Sequence, residues 1–217
     1  MRGWFAAIAM LWLAGCARCS PQPAPSRTVL AFEIPRAEIA PHRGDPLLTG
    51  LTWNRSRRTE AFEDVRGAQQ PHAHLQFMAD ETNLYLGFYA ADQDLRTRPR
   101  AEDARGAVGD RLTLTVGVLT LVLNPKGGQL PPGVTMLSDV DGSIDDSRDD
   151  DEEWIVELTI PWTTLGPRAR EDGVLVRAVR TDAPKGTPER AMAWPRSGQA
   201  LVRFPAQADG GPGAAVP

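Results

Sequence analysis

The densest concentration of chemically capable side chains lies between residues 139 and 153. Asp139-Val140-Asp141-Gly142-Ser143-Ile144-Asp145-Asp146-Ser147-Arg148-Asp149-Asp150-Asp151-Glu152-Glu153 holds nine carboxylates. So many like charges repel one another unless water or a cation neutralises them. Counted from Asp141, oxygen-bearing side chains fall at positions 1, 3, 5, 9 and 12: Asp141, Ser143, Asp145, Asp149 and Glu152. A calcium loop uses that spacing. Position 6 is Asp146 rather than glycine, and a strand pattern follows instead of a helix, so the run reads either as a structural calcium loop or as a solvated acidic loop. His72 and His74 share one face of an extended segment, and two imidazoles at that spacing could hold a transition metal. His42 is the one further histidine. The four ligands of a structural zinc are therefore not at hand, and the pair reads as exposed and unmetallated. Arg96, Arg98, Arg100 and Arg105 alternate with Pro99 and acidic residues and read as a surface loop. The chain has no G-x-S-x-G, no His-Glu-x-x-His and no P-loop.

The elements that must position these groups follow a period of two, not 3.6. Residues 28–34 alternate as a strand does. Leu75, Phe77 and Ala79 fall on one face, Asp80-Glu81-Thr82-Asn83 reads as a turn, and Leu84-Tyr85-Leu86-Gly87-Phe88-Tyr89-Ala90 returns, so residues 73–91 predict a hairpin. Leu112-Thr113-Leu114-Thr115-Val116 and Leu119-Thr120-Leu121-Val122-Leu123 predict two more strands, the second ended by Asn124-Pro125-Lys126-Gly127-Gly128. The clearest strand is Trp154-Ile155-Val156-Glu157-Leu158-Thr159-Ile160, stopped by Pro161. Residues 174–179 and 201–204 complete the set. Trp162-Thr163-Thr164-Leu165 has room for one helical turn, and no stretch reads as a long amphipathic helix. Short strands with Gly/Pro turns predict an all-β antiparallel sandwich, jelly-roll or immunoglobulin-like, in one domain. The net charge of −4 and the lack of a basic groove interleaved with aromatics argue against nucleic acid as a partner.

The first residues read as a targeting segment. A short basic start (Met1-Arg2-Gly3) precedes an apolar run over 4–13, too short to span a bilayer but suited to a signal-peptide core. It ends in Leu13-Ala14-Gly15-Cys16, which resembles the lipobox of bacterial lipoproteins. The resemblance implies that residues 1–15 are removed and that the Cys16 thiol carries a diacylglycerol. The alternative is an ordinary signal peptide that happens to contain a cysteine. Ala17, in place of an inner-membrane-retaining aspartate, implies an outer-membrane or periplasmic location. Cys19 is the one other cysteine, so a lipidated Cys16 leaves no intramolecular disulfide and the domain must be held by its core. Residues 16–27 are Pro-rich and predict a stiff tether. Residues 207–217 have nothing to bury and predict a disordered tail. The domain is left with 28–206.

Five fragments in order resemble the family 9 carbohydrate-binding modules and their looser relatives, the DOMON-like β-sandwiches. They are Ala79-Asp80-Glu81-Thr82-Asn83-Leu84-Tyr85-Leu86-Gly87-Phe88, Asp92-Gln93-Asp94-Leu95, Gly109-Asp110-Arg111, Glu157-Leu158-Thr159-Ile160-Pro161-Trp162 with Leu165-Gly166, and the closing pair of 177–180 with Trp194-Pro195. The resemblance covers residues 45–205. Together with the lipobox resemblance, it implies a non-catalytic module, lipid-anchored outside the cytoplasm, that binds a glycan and assists carbohydrate breakdown by a separate glycoside hydrolase. Sugar sites need flat rings for the C–H face of a pyranose and polar groups for its hydroxyls. Trp53 and Trp194, beside the loops at 54–58 and 195–198, are the candidate stacking platform. Trp154 is a third stacking candidate, and Arg180 a candidate hydrogen-bonding group. Trp53 and Trp194 are each open to the plainer reading of a half-buried rim aromatic, the Trp154 ring could face either way, and Trp162 reads as core. The arginines of 96–105 could pair with the acidic run or offer guanidinium groups to an acidic sugar. A glycosidase would need two carboxylates held across a cleft, and a loop run is poor ground for them.

The chain departs from the family where residues 119–123 lack the aromatic and acidic side chains that members often carry. The alternative reading is therefore a structural or partner-binding lipoprotein that has lost the sugar site. More distant is a haem-binding domain using Met78, Met136 or Met192 with a histidine.

Overall fold

A computed structural model describes residues 29–41, 47, 48, 50, 52–98, 108–146, 148–184 and 187–205. The leader, Cys16, Cys19, the Pro-rich tether, His42, Arg100, Arg105 and the C-terminal tail lie outside the described residues. The strands are β1 (Leu30–Glu33), β2 (Arg57–Arg58), β3 (Ala73–Ala79), β4 (Asn83–Ala91), β5 (Arg111–Val116), β6 (Leu119–Asn124), β7 (Gly127–Gly128), β8 (Thr135–Asp141), β9 (Glu153–Pro161), β10 (Val174–Asp182), β11 (Arg190–Trp194) and β12 (Ala200–Arg203). Two single turns of helix, α1 (Trp162–Leu165) and α2 (Ala169–Asp172), join β9 to β10. Seven strands form one sheet in the order β1-β12-β10-β5-β6-β7, with β11 also on β10; five form the other, β2-β3-β4-β9-β8. All pairs are antiparallel except β1 with β12, which is parallel.

Alternation decides which side chains meet between the sheets. Leu75, Phe77, Leu84, Leu86, Phe88, Trp154, Val156 and Leu158 project from the five-stranded sheet. Leu112, Leu114, Val116, Leu121, Leu123, Val174, Val176 and Ala178 face them from the other, and all are buried in one core. Met192 is also in that core, and Met78 lies in a second apolar cluster on the opposite face of the five-stranded sheet. Both methionines serve packing.

That second cluster gathers Leu48, Trp53, Met78, Tyr85 and Ile155. It exists because Gly87 leaves a gap in the middle of β4. A Cβ there would lie 2.2 Å from Leu48 Cδ2 and 3.2 Å from the Trp53 ring, so only glycine lets these side chains lie against the sheet.

Two strands and one residue stand out as differing from the sequence reading. Residues 139–141 are not loop but the end of β8, an edge strand with a mostly exposed, polar pattern that gives no alternating signal. β11 escapes the reading because it is five residues long and its buried residues, Met192, Ala193 and Trp194, run consecutively instead of alternating. Arg96 is not a surface residue: it is 1% exposed, and its Nε donates to the Ala183 carbonyl at 2.8 Å.

Candidate functional site

The apolar columns between the sheets turn polar at one end. On β4 the inward parity of Leu84, Leu86, Phe88 and Ala90 continues to Asp92. On β5 the parity of Leu112 and Leu114 runs back to Asp110. On β10 the parity of Val174, Val176 and Ala178 runs on to Arg180 and Asp182. Period-two geometry thus places three carboxylates and a guanidinium in the same gap, and all four are at most 5% exposed. Carboxylate oxygens of Asp92, Asp110 and Asp182 lie within 4.8 Å of one another.

Such a group requires a counter-charge, and the chain supplies one. Arg180 Nη2 donates to Asp92 Oδ2 at 2.8 Å and to Asp182 Oδ1 at 2.9 Å. Arg190 Nε donates to Asp182 Oδ2 at 2.7 Å. Asp110 has no arginine of its own among these bonds; it accepts the backbone amides of Arg96 (2.7 Å) and Ala183 (2.8 Å). Burial, with the Asp92 charge adding to it, pushes the Asp110 carboxyl up to about 8. Burial also raises Asp92, against the pull of Arg180. Three carboxylates at this spacing resemble a cation site, but the place of the cation on Asp92 and Asp182 is taken by Arg180. Nε and Nη1 of Arg180 are buried without a hydrogen-bond partner among the described residues.

Above this cluster the sandwich opens into a cleft of about 700 Å³. Its walls carry Asp92, Asp94, Asp149, Asp150, Glu152 and Asp182, with Arg190 as the arginine among them, Gln70 and Gln93 as neutral hydrogen-bonding groups, and Pro71 and Pro184 as apolar surfaces. The volume is that of a small-molecule site, and the field inside it is negative.

The residues read from sequence as a stacking platform are elsewhere. Trp194 is 2% exposed and packs edge-on against Phe32, with ring centroids 5.6 Å apart, inside the core. Trp53 is 3% exposed on the outer face of the opposite sheet. Trp154 is fully buried against Phe88, and its Nε1 donates to Ser138 Oγ at 3.2 Å. Their faces are occupied by protein, so they do not form one open platform. Arg180, expected to meet a ligand, is fully buried behind the cleft floor.

The five residues of the calcium spacing lie on the β8–β9 hairpin. Asp141 and Glu153 are direct partners across the β8–β9 ladder, and the Glu152 amide donates to the Asp141 carbonyl at 2.9 Å. Residues 141–153 therefore connect the two strands of a hairpin, and the ends of the calcium spacing lie side by side. Ser143 Oγ donates to Asp149 Oδ1, and Asp141 and Glu152 are exposed. Asp145 accepts from Lys126 Nζ (2.5 Å) and from the Thr97 amide and hydroxyl (2.8 Å each), which joins the acidic run to the segment before Arg98. Asp151, 2% exposed, organises the connection by accepting the Leu95 and Ser143 amides. It folds so close to Gly142 (φ +123°) that a Cβ there would lie 2.0 Å from Asp151 Oδ1. Sequence reasoning missed Asp92, Asp110, Asp151 and Asp182 as site residues. Extending the apolar columns by one step of two reaches Asp92 and Asp110, and a second step on β10 reaches Asp182; Asp151 lies on no such column.

Burial pushes the Asp145 carboxyl up, but Lys126 and Thr97 outweigh it and bring it from 3.8 down to about 2. A carboxyl depressed in the folded state stabilises the protein above its unfolded value and loses that contribution as the pH falls. Here the window is pH 4 to 2. Lys126→Met is expected to flatten the wild-type decline in stability across it, as read by urea melts at pH 4.5 and 2.5.

No protein-family model matches the sequence, and no curated protein does. Solved structures do. A family 9 carbohydrate-binding module from Caldicellulosiruptor kristjanssonii in complex with cellotriose is 11% identical with a TM-score of 0.52, over 84% of this chain and 98% of that one. The structure of such a module from that organism in complex with glucose gives 0.51 at 11% identity, over 82% and 97%. A proposed carbohydrate-binding protein from Bacteroides uniformis gives 0.52 at 11%, over 82% and 98%. At this identity the likeness is one of architecture, and the architecture of this chain is that of the family 9 carbohydrate-binding modules.

Proposed function

We propose that this protein is a non-catalytic carbohydrate-binding module, held outside the cytoplasm by a lipid on Cys16, whose glycan ligand enters the acidic cleft at the sheet ends. The observation that carries the reading is the cleft itself. It combines the volume of a small saccharide, carboxylates and amides able to pair with hydroxyls, and two proline rings to pack on C–H faces. The fold supports it, since the Caldicellulosiruptor modules of like architecture hold glucose and cellotriose. The Leu13-Ala14-Gly15-Cys16 sequence supports the anchor and, with Ala17, an outer-membrane or periplasmic site. A binding module without a reaction centre would act beside a separate glycoside hydrolase.

A second reading, a structural or partner-binding lipoprotein, is favoured by one specific fact. Trp53, Trp154 and Trp194 are all buried, and no aromatic ring is among the described residues lining the cleft.

Affinity electrophoresis and calorimetry with glucose, cello-oligosaccharides and other neutral oligosaccharides separate the two. Wild-type protein is expected to bind at least one saccharide. The double variant Asp150→Asn/Glu152→Gln, altered at two exposed cleft carboxylates, is expected to bind it about tenfold more weakly with an unchanged Tm. Failure of every saccharide to bind wild type would leave the partner-binding reading standing.

A further inference from the structure

We propose that His72 and His74 form a two-imidazole site for a divalent transition cation of the copper–zinc class, on the outer face of the five-stranded sheet at the lip of the acidic cleft. The pair is not the bland exposed one its sequence suggested. His72 Nε2 and His74 Nδ1 lie 3.2 Å apart. A metal held at about 2.0–2.1 Å from both nitrogens would see them at an angle of about 100°. That falls between the square-planar and tetrahedral values, so the separation of the two nitrogens fits their binding one ion.

The rings are already fixed in place. The Ala91 amide donates to the His72 carbonyl at 2.8 Å, and His74 pairs with Tyr89 across the β3–β4 ladder. The His74 ring is 4% exposed and stacks on Tyr89, with centroids 5.1 Å apart and an interplanar angle of 23°. Little side-chain freedom remains to be lost on binding. His72 is only half-buried, which leaves a path for the ion and coordination positions for water.

A hydrogen-bond chain behind the pair sets the proton position. Ser56 Oγ donates to Gln76 Oε1 at 2.6 Å, and Gln76 Nε2 lies 3.3 Å from His74 Nε2. In one polarity Gln76 donates to His74 Nε2, and His74 Nδ1–H donates to His72 Nε2. In the other the amide of Gln76 is turned. His74 then carries its proton on Nε2 and donates it to the Gln76 carbonyl, and the facing lone pairs of His72 and His74 are both free. The proton is relocated, not lost, so the ion meets two neutral imidazoles, and Gln76 becomes the partner that a metal-bound histidine requires for its second nitrogen.

Charge decides the sign of the ion. Arg58 stands near His74 and opposes a cation. Against it, Gln70 and Pro71 lead directly from the acidic cleft into His72, and the cleft carboxylates draw cations to that rim. Among the first-row divalent ions copper(II) binds such nitrogen pairs most tightly.

The test uses the full chain, stripped with a chelator and dialysed, and copper(II) chloride as the probe, followed by calorimetry and by electron paramagnetic resonance. One equivalent is expected to bind saturably, with hyperfine structure from two nitrogens. His72→Gln, a half-exposed change that leaves the stacked His74 in place, is expected to abolish that stoichiometric binding. Gln76→Leu, which cannot accept the His74 proton, is expected to weaken it about tenfold or more. The Asp150→Asn/Glu152→Gln protein is expected to keep the two-nitrogen signal, which separates this site from the saccharide reading. Equal copper binding by wild type and His72→Gln, or a spectrum without nitrogen coupling, would overturn the assignment.

Discussion

Replacing Arg180 with leucine is expected to destabilise the protein by about 3–5 kcal/mol, which at about 2–4 °C per kcal/mol for a domain of this size lowers Tm by roughly 6–20 °C. The size of the effect comes from what the substitution leaves behind. Asp92 and Asp182, 5% and 2% exposed, both lean on the same Nη2. Without it, Asp182 retains Arg190, whereas Asp92 retains, among the described residues, the Asp94 amide at 3.0 Å. Desolvation already raises the Asp92 carboxyl, and loss of the arginine raises it further. A carboxyl whose folded value exceeds its unfolded one costs stability as the pH rises. The variant should therefore be least stable, relative to wild type, at neutral and higher pH and should recover toward pH 4. Adding Asp92→Asn to Arg180→Leu removes the stranded charge, so the double variant is expected to be more stable than the single one. Chemical-denaturant melts of wild type, the single variant and the double variant at pH 7.5 and 4.5 check both signs. A single variant melting within about 2 °C of wild type would mean that the sheet-end cluster is not held by this ion pair.

The same cluster marks the boundary of what could be read from residues alone. Strands whose inward positions are apolar and whose neighbours are polar or outward-facing announce themselves, and β3, β4, β5, β6, β9 and β10 were legible for that reason. β8 was not, because an exposed edge strand buries little on either face and its polar residues merge with the acidic run that follows. Asp141, the first residue of the calcium spacing, is also the last rung of a ladder, and a spacing rule built for loops could not register the ladder. Asp92, Asp110 and Asp182 were quoted within or beside motifs, yet their convergence depends on three strands from two sheets ending at the same level, which is a fact of pairing register. Gly87 offered a usable signal: a glycine inside a strong strand marks a close approach. The sequence did not say that Leu48 and Trp53 make it.

The tryptophans are where the two accounts of the protein make opposite predictions. If Trp194 were a stacking surface, its replacement by alanine would abolish glycan binding and leave the fold intact. Its position predicts the reverse. Trp194 faces inward from β11, paired with Ala178 of β10, and packs on Phe32 and on Phe77, 5.9 Å away. Truncation opens a cavity that a β-strand held on a central neighbour cannot close, and the expected loss is about 3–5 kcal/mol. Trp194→Phe retains an aromatic edge against both rings and is expected to lose less than half as much. Thermal melts measure this loss directly. Calorimetry at a temperature where Trp194→Ala is still folded completes the comparison, because β11 begins at Arg190 in the cleft wall and ends at Trp194 in the core. Affinity for a saccharide should persist in the folded variant, since the groups offered to the ligand lie at the other end of the strand. Loss of affinity with unchanged Tm would restore the aromatic platform and move the binding face away from the acidic cleft.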